Sequence, residues 1–392
     1  MTHAELHNEL SKYLYIEDHD QYDVILASIM ANLLKLADPV WLTLIGISSG
    51  GKSQILRPFA MSNPAVIHRV DDLTSNSLMS GIGGQDQTFL SKVGTHGVIC
   101  MDDLTVLFSK NSEQRGEILS QFRMLYDGRY SKITGSRGGE MLWEGYMGMI
   151  SGSTPSIYRF FGEVADMGER FVNYRMKPMD QDKALEFIVN NPMSSRDMDQ
   201  AISGVLQEYM TGLMAVDYTD SPLLTLSDEV NSDLSAAAKW FCLLRTPVHI
   251  NERNEQVDEF PEPELPLRVM KQLVTLAKAL QCVYGRPLSP KDTNALLWVG
   301  YSLSNDKRKR YLRSMVALEY QGKKITTRNL SALTGLHQEI IKIGVSSLQA
   351  LGIVELTDET EGSKHWRLVH PELTKLVVRL DPPPTITSEL DF

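Results

Sequence analysis

Apolar residues recur every three to four positions in QYDVILASIMANLLKL (Gln21–Leu36), a period that predicts an amphipathic helix with one buried face. The pattern then changes. VWLTLIG (Val40–Gly46) is a continuous apolar run of strand length, and KSQILRPFA (Lys52–Ala60) reads as a short helix beyond a glycine-dense turn. In HGVICMDDLTVLF, the run Val98 to Met101 predicts a second buried strand, ending on Asp102 and Asp103. GYMGMISGSTPSIY predicts a third, closed by Pro155, and Glu169 and Arg170 precede a strand-like alternation in FVNYRM. Between the second and third, YDGRYSKITGSRGGEMLWEGYMGM carries two alternating runs about GSRGG, where Gly135, Gly138 and Gly139 suit a hairpin turn.

Helical spacing returns in ELPLRVMKQLVTLAKALQCVYGRPLSPKDTNALLWV, with Ser289 expected to cap a helix whose first position is Pro290. Farther on, DKRKRYLRSMVALEYQ predicts a helix. TTRNLSALTGL predicts a short one with Thr327 as cap, HQEIIKIGVSSLQALG an amphipathic one, and IVELTDETEGSKHWRLV two strands. NERNEQVDEFPEPE is an acidic, proline-containing connection, and DPPPTITSELDF reads as a loose tail. The expected divisions are a helical segment (1–38), an α/β core (39–190), a helical segment (191–303), a small C-terminal domain (304–380) and the tail (381–392).

With 392 residues, 42% of them hydrophobic, the chain has enough apolar surface for two or three folded units. No apolar run approaches bilayer length, so no membrane partner is expected. MTHAELHNELSKYL lacks a secretory pattern, so a cytoplasmic location is expected. Cys100, Cys242 and Cys282 lie far apart without paired spacing, which excludes a zinc-finger or disulfide framework. The net charge of -10 excludes a uniformly basic nucleic-acid coat. From Ser304 to Leu380, however, thirteen Lys and Arg face eight Asp and Glu, so any nucleic-acid contact is expected to be local.

Gly46-Ile47-Ser48-Ser49-Gly50-Gly51-Lys52-Ser53 fits G-x-x-x-x-G-K-[ST] between a strand and a helix, the context that a phosphate loop requires. Glycines let successive N–H groups turn inward around phosphates, and the new helix presents its positive end there. ATP is the expected cofactor, with Lys52 on its β and γ phosphates and Ser53 on Mg²⁺. Asp102 and Asp103, fifty residues later, supply the acidic strand end. Asp102 is favoured for the Mg²⁺ shell and Asp103 for polarising the attacking water, and a one-residue slip exchanges them. Ser153 or Thr154 could reach the γ-phosphate or that water. Arg170 would project to a neighbouring subunit's phosphate.

GISSGGKS, GVICMDDLT, FRMLYDGRYSKITGSRGGEMLWEGYMGMISGSTP and MGERFVNYRM, in that order, resemble the AAA+ ATPases. More narrowly they resemble the minichromosome-maintenance-like helicases and the helicase-like ATPases of phages and mobile elements. The resemblance covers about residues 38–299 and implies an α/β P-loop core with a helical lid, working in a ring, commonly a hexamer, in DNA replication. It makes Arg170 the finger into the adjacent site and Arg268, opening the first lid helix, a second sensor. The hairpin would carry basic residues into a central channel for single-stranded DNA: Lys132 and Arg137, with Arg129 behind them. Two departures are Ser153-Thr154 where the helicases have asparagine, and Asp-Asp where many relatives have Asp-Glu. The C-terminal elements suggest a winged helix. Its third helix offers His337, Gln338, Lys342, Ser346 and Gln349 to duplex DNA, beside the basic run Lys307, Arg308, Lys309 and Arg310 with Arg313. Two rivals to a helicase are an initiator or helicase loader with a protein partner, and a winged-helix regulator that only senses nucleotide.

Overall fold

The computed structural model describes residues 1–74, 77–79, 88–134, 139–160, 170–251, 256–258, 261–360 and 363–383. They form two compact units, Met1–Asn231 with Lys271–Val299, and Ser232–Met270 with Gly300–Phe392. The segment expected to be one helical lid, 191–303, is therefore shared between them. Its divisions fall inside helices, where no composition shift marks them.

In the first unit, α1 (His3–Leu10) and α2 (Asp20–Leu33) precede β1 (Trp41–Ile45) and α3 (Lys52–Ser62). Next come β2 (Ile67–Arg69), α4 (Phe89–Val93), β3 (His96–Met101), α5 (Thr105–Phe108) and α6 (Ser112–Tyr126). The hairpin β4 (Arg129–Thr134) and β5 (Gly139–Glu144) leads into β6 (Tyr146–Ser153), and β7 (Phe171–Arg175) completes the strands. A mixed α/β architecture results, with a five-stranded parallel sheet in the order β2-β3-β6-β1-β7. Parallel strands covered on both faces are apolar throughout, which is why β1 and β3 read as continuous runs rather than alternations.

The two faces of the sheet have different neighbours. Trp41, Ile99, Met101, Met147 and Met149 pack with Phe122, Leu125 and Tyr126 of α6 in one core. From the other face, the Cys100 thiol reaches the carbonyl of Leu56 on α3. Asn32 fixes the passage from α2 into β1: its amide donates to the carbonyls of Ser28 and Val40 and accepts from the Val40 N–H, each at 2.8–2.9 Å. A Cβ on Gly148 would come within 2.3 Å of Asn32, so glycine is required where α2 meets β6. The predicted N-terminal helix is thus present and packs on the α/β core, running Asp20–Leu33, but every residue from Gln21 to Asn32 is buried, so it is enclosed on all sides rather than amphipathic with one buried face.

Helix Leu267–Tyr284 and helix Thr293–Ser302 contribute to both units. The expected start at Ser289-Pro290 is a turn instead, and the helix begins at Thr293. Asp292 accounts for the shift: its carboxylate takes the N–H and hydroxyl of Ser289 at 2.7 and 2.6 Å and the Arg286 guanidinium at 2.7 Å.

The second unit holds the short hairpin β8 (Ile250–Asn251) and β9 (Gln256–Val257), then helix Asp306–Tyr320, β10 (Ile325–Thr326), helix Thr327–Thr334 and helix Gln338–Ala350. Strands β11 (Val354–Thr360) and β12 (Ser363–Leu368) and helix Pro371–Leu380 follow. The two expected strands are joined by β10 in a three-stranded sheet, order β10-β12-β11. The cap of the short helix is Thr326, whose hydroxyl accepts from the Asn329 N–H; Thr327, the expected cap, is already helical. Among the described residues, no helix is long and apolar enough to cross a membrane.

Candidate nucleotide site

The carboxyl ends of β1, β3 and β6 form the site. Because β6 lies between the other two, pairing Ser153 with Ile45 on one side and Ser151 with Met101 on the other, its tip stands between the glycine loop and the acidic pair. The Gly46 N–H donates to the Ser153 carbonyl at 3.1 Å, fixing the first glycine to that tip. A Cβ on Gly46 would stand 2.7 Å from the Met176 sulfur, so that side chain would have to shift, and Gly51 turns into α3 at φ +83°, where any other residue is strained. Ser49 holds φ +61°, an uncommon conformation for a non-glycine residue, at the exposed crest of the loop. Ile47 and Ser48 are likewise exposed, and Gly50 and Ser53 half-buried.

Lys52 opens α3 with its side chain 8% exposed, turned back into the loop. Its ammonium donates to the carbonyls of Gly46 at 2.9 Å and Ile47 at 2.7 Å. Burial lowers its pKa, opposed by the charge of Asp103. Asp103 is thus the acidic neighbour whose field reaches the lysine. Its Oδ1 accepts from the N–H and hydroxyl of Thr105, which fixes the carboxylate at the start of α5.

Asp102 faces the other way. Strand alternation puts it on the α3 side with Cys100, where Oδ2 accepts from Arg57 Nε at 2.7 Å and from the Arg69 guanidinium at 3.0 Å. Its Oδ1 is buried and has no hydrogen-bond partner among the described residues. Those two arginines were missed by sequence reading, since nothing local links positions 57 and 69 to 102. Of the two residues expected at Mg²⁺, Ser53 is half-buried beside Lys52, and Asp102 keeps one acceptor, the orphaned Oδ1, that could take a hydrated ion on the Arg57 side.

Ser153 is buried, and its hydroxyl donates weakly to the Thr154 carbonyl at 3.3 Å. Thr154 is half-buried and shares a 2.6 Å hydrogen bond with the Ser156 hydroxyl. Both stand at the site.

Other expected residues lie elsewhere. Arg170 does not project: its side chain is 12% exposed, its guanidinium meets both Asp127 oxygens at 2.8–2.9 Å, and it lies over the Tyr126 ring. The register Trp41↔Phe171 places it at the amino end of the sheet, opposite the glycine loop of its own chain. Glu169 lies outside the described residues. Arg268 is half-buried near the start of its helix and belongs to the second unit, whereas Lys52 belongs to the first.

The hairpin pairs as read, Arg129↔Glu144 through Thr134↔Gly139. Buried Tyr130 and Trp143 anchor its base, the indole donating to the Gly94 carbonyl at 2.7 Å. Arg129 is exposed, 3.9 Å from Glu144, while half-buried Lys132 reaches 3.5 Å from the Met79 carbonyl. Arg137 lies outside the described residues.

The basic run of helix Asp306–Tyr320 is not the continuous surface that its sequence suggested. Arg308 is buried, with Nε on the Ser347 hydroxyl and Nη1 on the carbonyls of Leu244 and Thr246, and burial lowers its pKa to about 10. Lys309 is also buried, 2.8 Å from Asp306 and over the Tyr301 ring. Lys307 and Arg310 are exposed, although Arg310 donates to the Thr334 carbonyl. Arg313 is engaged by Asp381 at 3.1 Å and by the Pro382 carbonyl. Lys342 pairs with Glu339 at 2.8 Å on an exposed face that also carries His337, Gln338 and Gln349, with Ser346 half-buried. No protein-family model matches this chain, and no curated protein matches it at a significant level.

Proposed function

We propose that this protein is an ATP-hydrolysing motor of the AAA+ class that moves DNA, working as a ring oligomer in replication of the phage or mobile-element kind. The observation that carries the reading is β6 between β1 and β3, which gathers the Gly46–Ser53 loop, Asp103 and the Ser153-Thr154 tip at one end of a parallel sheet. The helix, strand, helix, helix, strand, strand order from Asp306 supports a winged helix in the second unit.

Bound ATP with Mg²⁺ supplies the γ-phosphoryl group and its charge neutralisation. Amides of the 46–51 loop and the amino end of α3 cradle the phosphates, and Lys52 exchanges two carbonyls for phosphate oxygens. Ser53 and Asp102 Oδ1 would hold the metal shell, which would supply charge neutralisation to the phosphates. Water oriented by Ser153 or Thr154 attacks the γ-phosphorus and gives a proton to Asp103, while the bond from phosphorus to the β,γ-bridging oxygen breaks and ADP and inorganic phosphate leave. Arg170 serves a neighbour's site only after leaving Asp127, so subunit contact has an internal ion pair to open. Basic side chains of the β4–β5 hairpin track DNA phosphates.

A second reading, an initiator or helicase loader of slow turnover, gains support from Arg170, which its own chain holds on Asp127 rather than presenting to a neighbour's site. ATP hydrolysis measured with and without single-stranded DNA, at two protein and two salt concentrations, separates the readings. A motor gives salt-sensitive stimulation and specific activity that rises with protein concentration. Slow turnover indifferent to single strands favours the loader, and no turnover contradicts both.

A further inference from the structure

Far from the glycine loop in sequence, MTHAELH places His3 and His7 four residues apart, hence on one face of α1. Both rings point at α2. His3 Nε2 is 2.8 Å and His7 Nε2 2.7 Å from the same oxygen, Oδ1 of Asp23, and the two nitrogens are 3.0 Å from each other. Asp23 is almost wholly buried.

Protons alone leave this triangle unsatisfied. Each edge needs one hydrogen and one lone pair. With Asp23 ionised, both imidazoles must present N–H to the carboxylate, and then two donors face each other across 3.0 Å. If either imidazole presents its lone pair to the other, it opposes the carboxylate with that same lone pair. A cation shared by the three atoms satisfies every lone pair at once.

The surroundings match what a metal site requires beyond its ligands. His19 Nδ1 hydrogen-bonds His7 Nδ1 at 2.8 Å, and the Tyr284 hydroxyl donates to Asp23 Oδ2 at 3.0 Å, so both buried ligands are oriented by a second partner. The ligand atoms lie within 4.8 Å of one another. Two imidazoles and one carboxylate are a donor set for zinc, at about 2.0–2.2 Å from each atom, with a fourth tetrahedral position for water. His3, 28% exposed, marks the side from which the ion and its water have access.

We propose that His3, His7 and Asp23 bind one zinc ion, which fastens α1 to α2 and, through Tyr284, to the part of helix Leu267–Tyr284 that belongs to the same unit. The site stands on its own geometry and is independent of the nucleotide reading.

The test uses the full-length protein without an affinity tag, stripped with a chelator and titrated with zinc against a chromophoric competitor. Cobalt(II) serves as a visible-absorption reporter of coordination geometry. One equivalent per chain, with tetrahedral cobalt bands and a zinc-dependent rise in Tm, is expected. His3→Ala and His7→Ala should each abolish the stoichiometric site. Tyr284→Phe keeps all three ligands and should weaken zinc binding roughly 10–100-fold, as loss of a supporting hydrogen bond does. Absence of binding by the unaltered protein, or full stoichiometry in His3→Ala with His7→Ala combined, would overturn the proposal. The latter result would point to the cysteines.

Discussion

Two runs of like charge meet different backbones in this molecule. Asp102-Asp103 follows a strand, where successive side chains point to opposite faces, so one carboxylate turns to Arg57 and Arg69 and its neighbour to Thr105, where its charge still acts on Lys52. Lys307 to Arg310 lies on a helix, where neighbours step around the axis. Arg308 and Lys309 therefore fall on the buried side, and Lys307 and Arg310 on the outside. In both runs the backbone divides the charge between two surroundings. At the strand end Asp103 is held by Thr105 where its charge acts on the phosphate-loop lysine; on the helix Lys307 and Arg310 are exposed. Adjacent charges of one sign are thus two populations, and the local period decides which neighbours each one meets.

The largest effect that breaks or upholds this contrast lies at the strand end. Lys52→Ala should lower ATP turnover by roughly 100-fold to 10,000-fold, measured as phosphate release, without loss of the folded core, because its ammonium holds only loop carbonyls. On the helix, Arg308→Ala strips two carbonyls and a hydroxyl of their donor and should cost the second unit about 2–4 kcal/mol in denaturant unfolding. Lys307→Ala, one position earlier, should stay within about 0.5 kcal/mol. If the two variants were equally stable, the inward and outward division of the run would be wrong.

An intermediate effect concerns acid. The Asp292 pKa is lowered to about 2: burial raises it, and hydrogen bonds from Arg286 and Ser289 outweigh that. A carboxylate depressed from its ordinary 3.8 contributes stability that is present above pH 3.8 and lost as pH falls through 2, here about 2 kcal/mol. Asp292→Asn should flatten that part of the acid limb of the pH–stability curve. The smallest effect is at the helix surface. If the outward charges meet DNA, Lys307→Ala should reduce the salt dependence of binding by about one counterion and leave sequence preference unchanged.

Much of the sheet was legible because its strands are buried on both faces. β1, β3 and β6 announced themselves as apolar runs, and the glycine loop carries its pattern between strand and helix. The β4–β5 hairpin was legible from its alternation and its glycines. Partner choice was not. Arg170 reads as a free cation, and only the fold brings Asp127 to it across forty-three residues. The same holds for Arg57 and Arg69 with Asp102. Element starts slipped where a side chain competed with the expected cap, as at Asp292 and Thr326. The two-residue β10 is too short to show a period at all.

Parallel measurement of phosphate release and thermal unfolding for Asp102→Ala and Asp103→Asn tests the central claim most directly. Asp103→Asn should retain nucleotide binding and Tm while losing at least roughly 100-fold in turnover. Asp102→Ala should lower the Tm, because Arg57 and Arg69 lose their shared carboxylate. Full turnover in Asp103→Asn, or an unchanged Tm in Asp102→Ala, would contradict the division of roles between the two carboxylates.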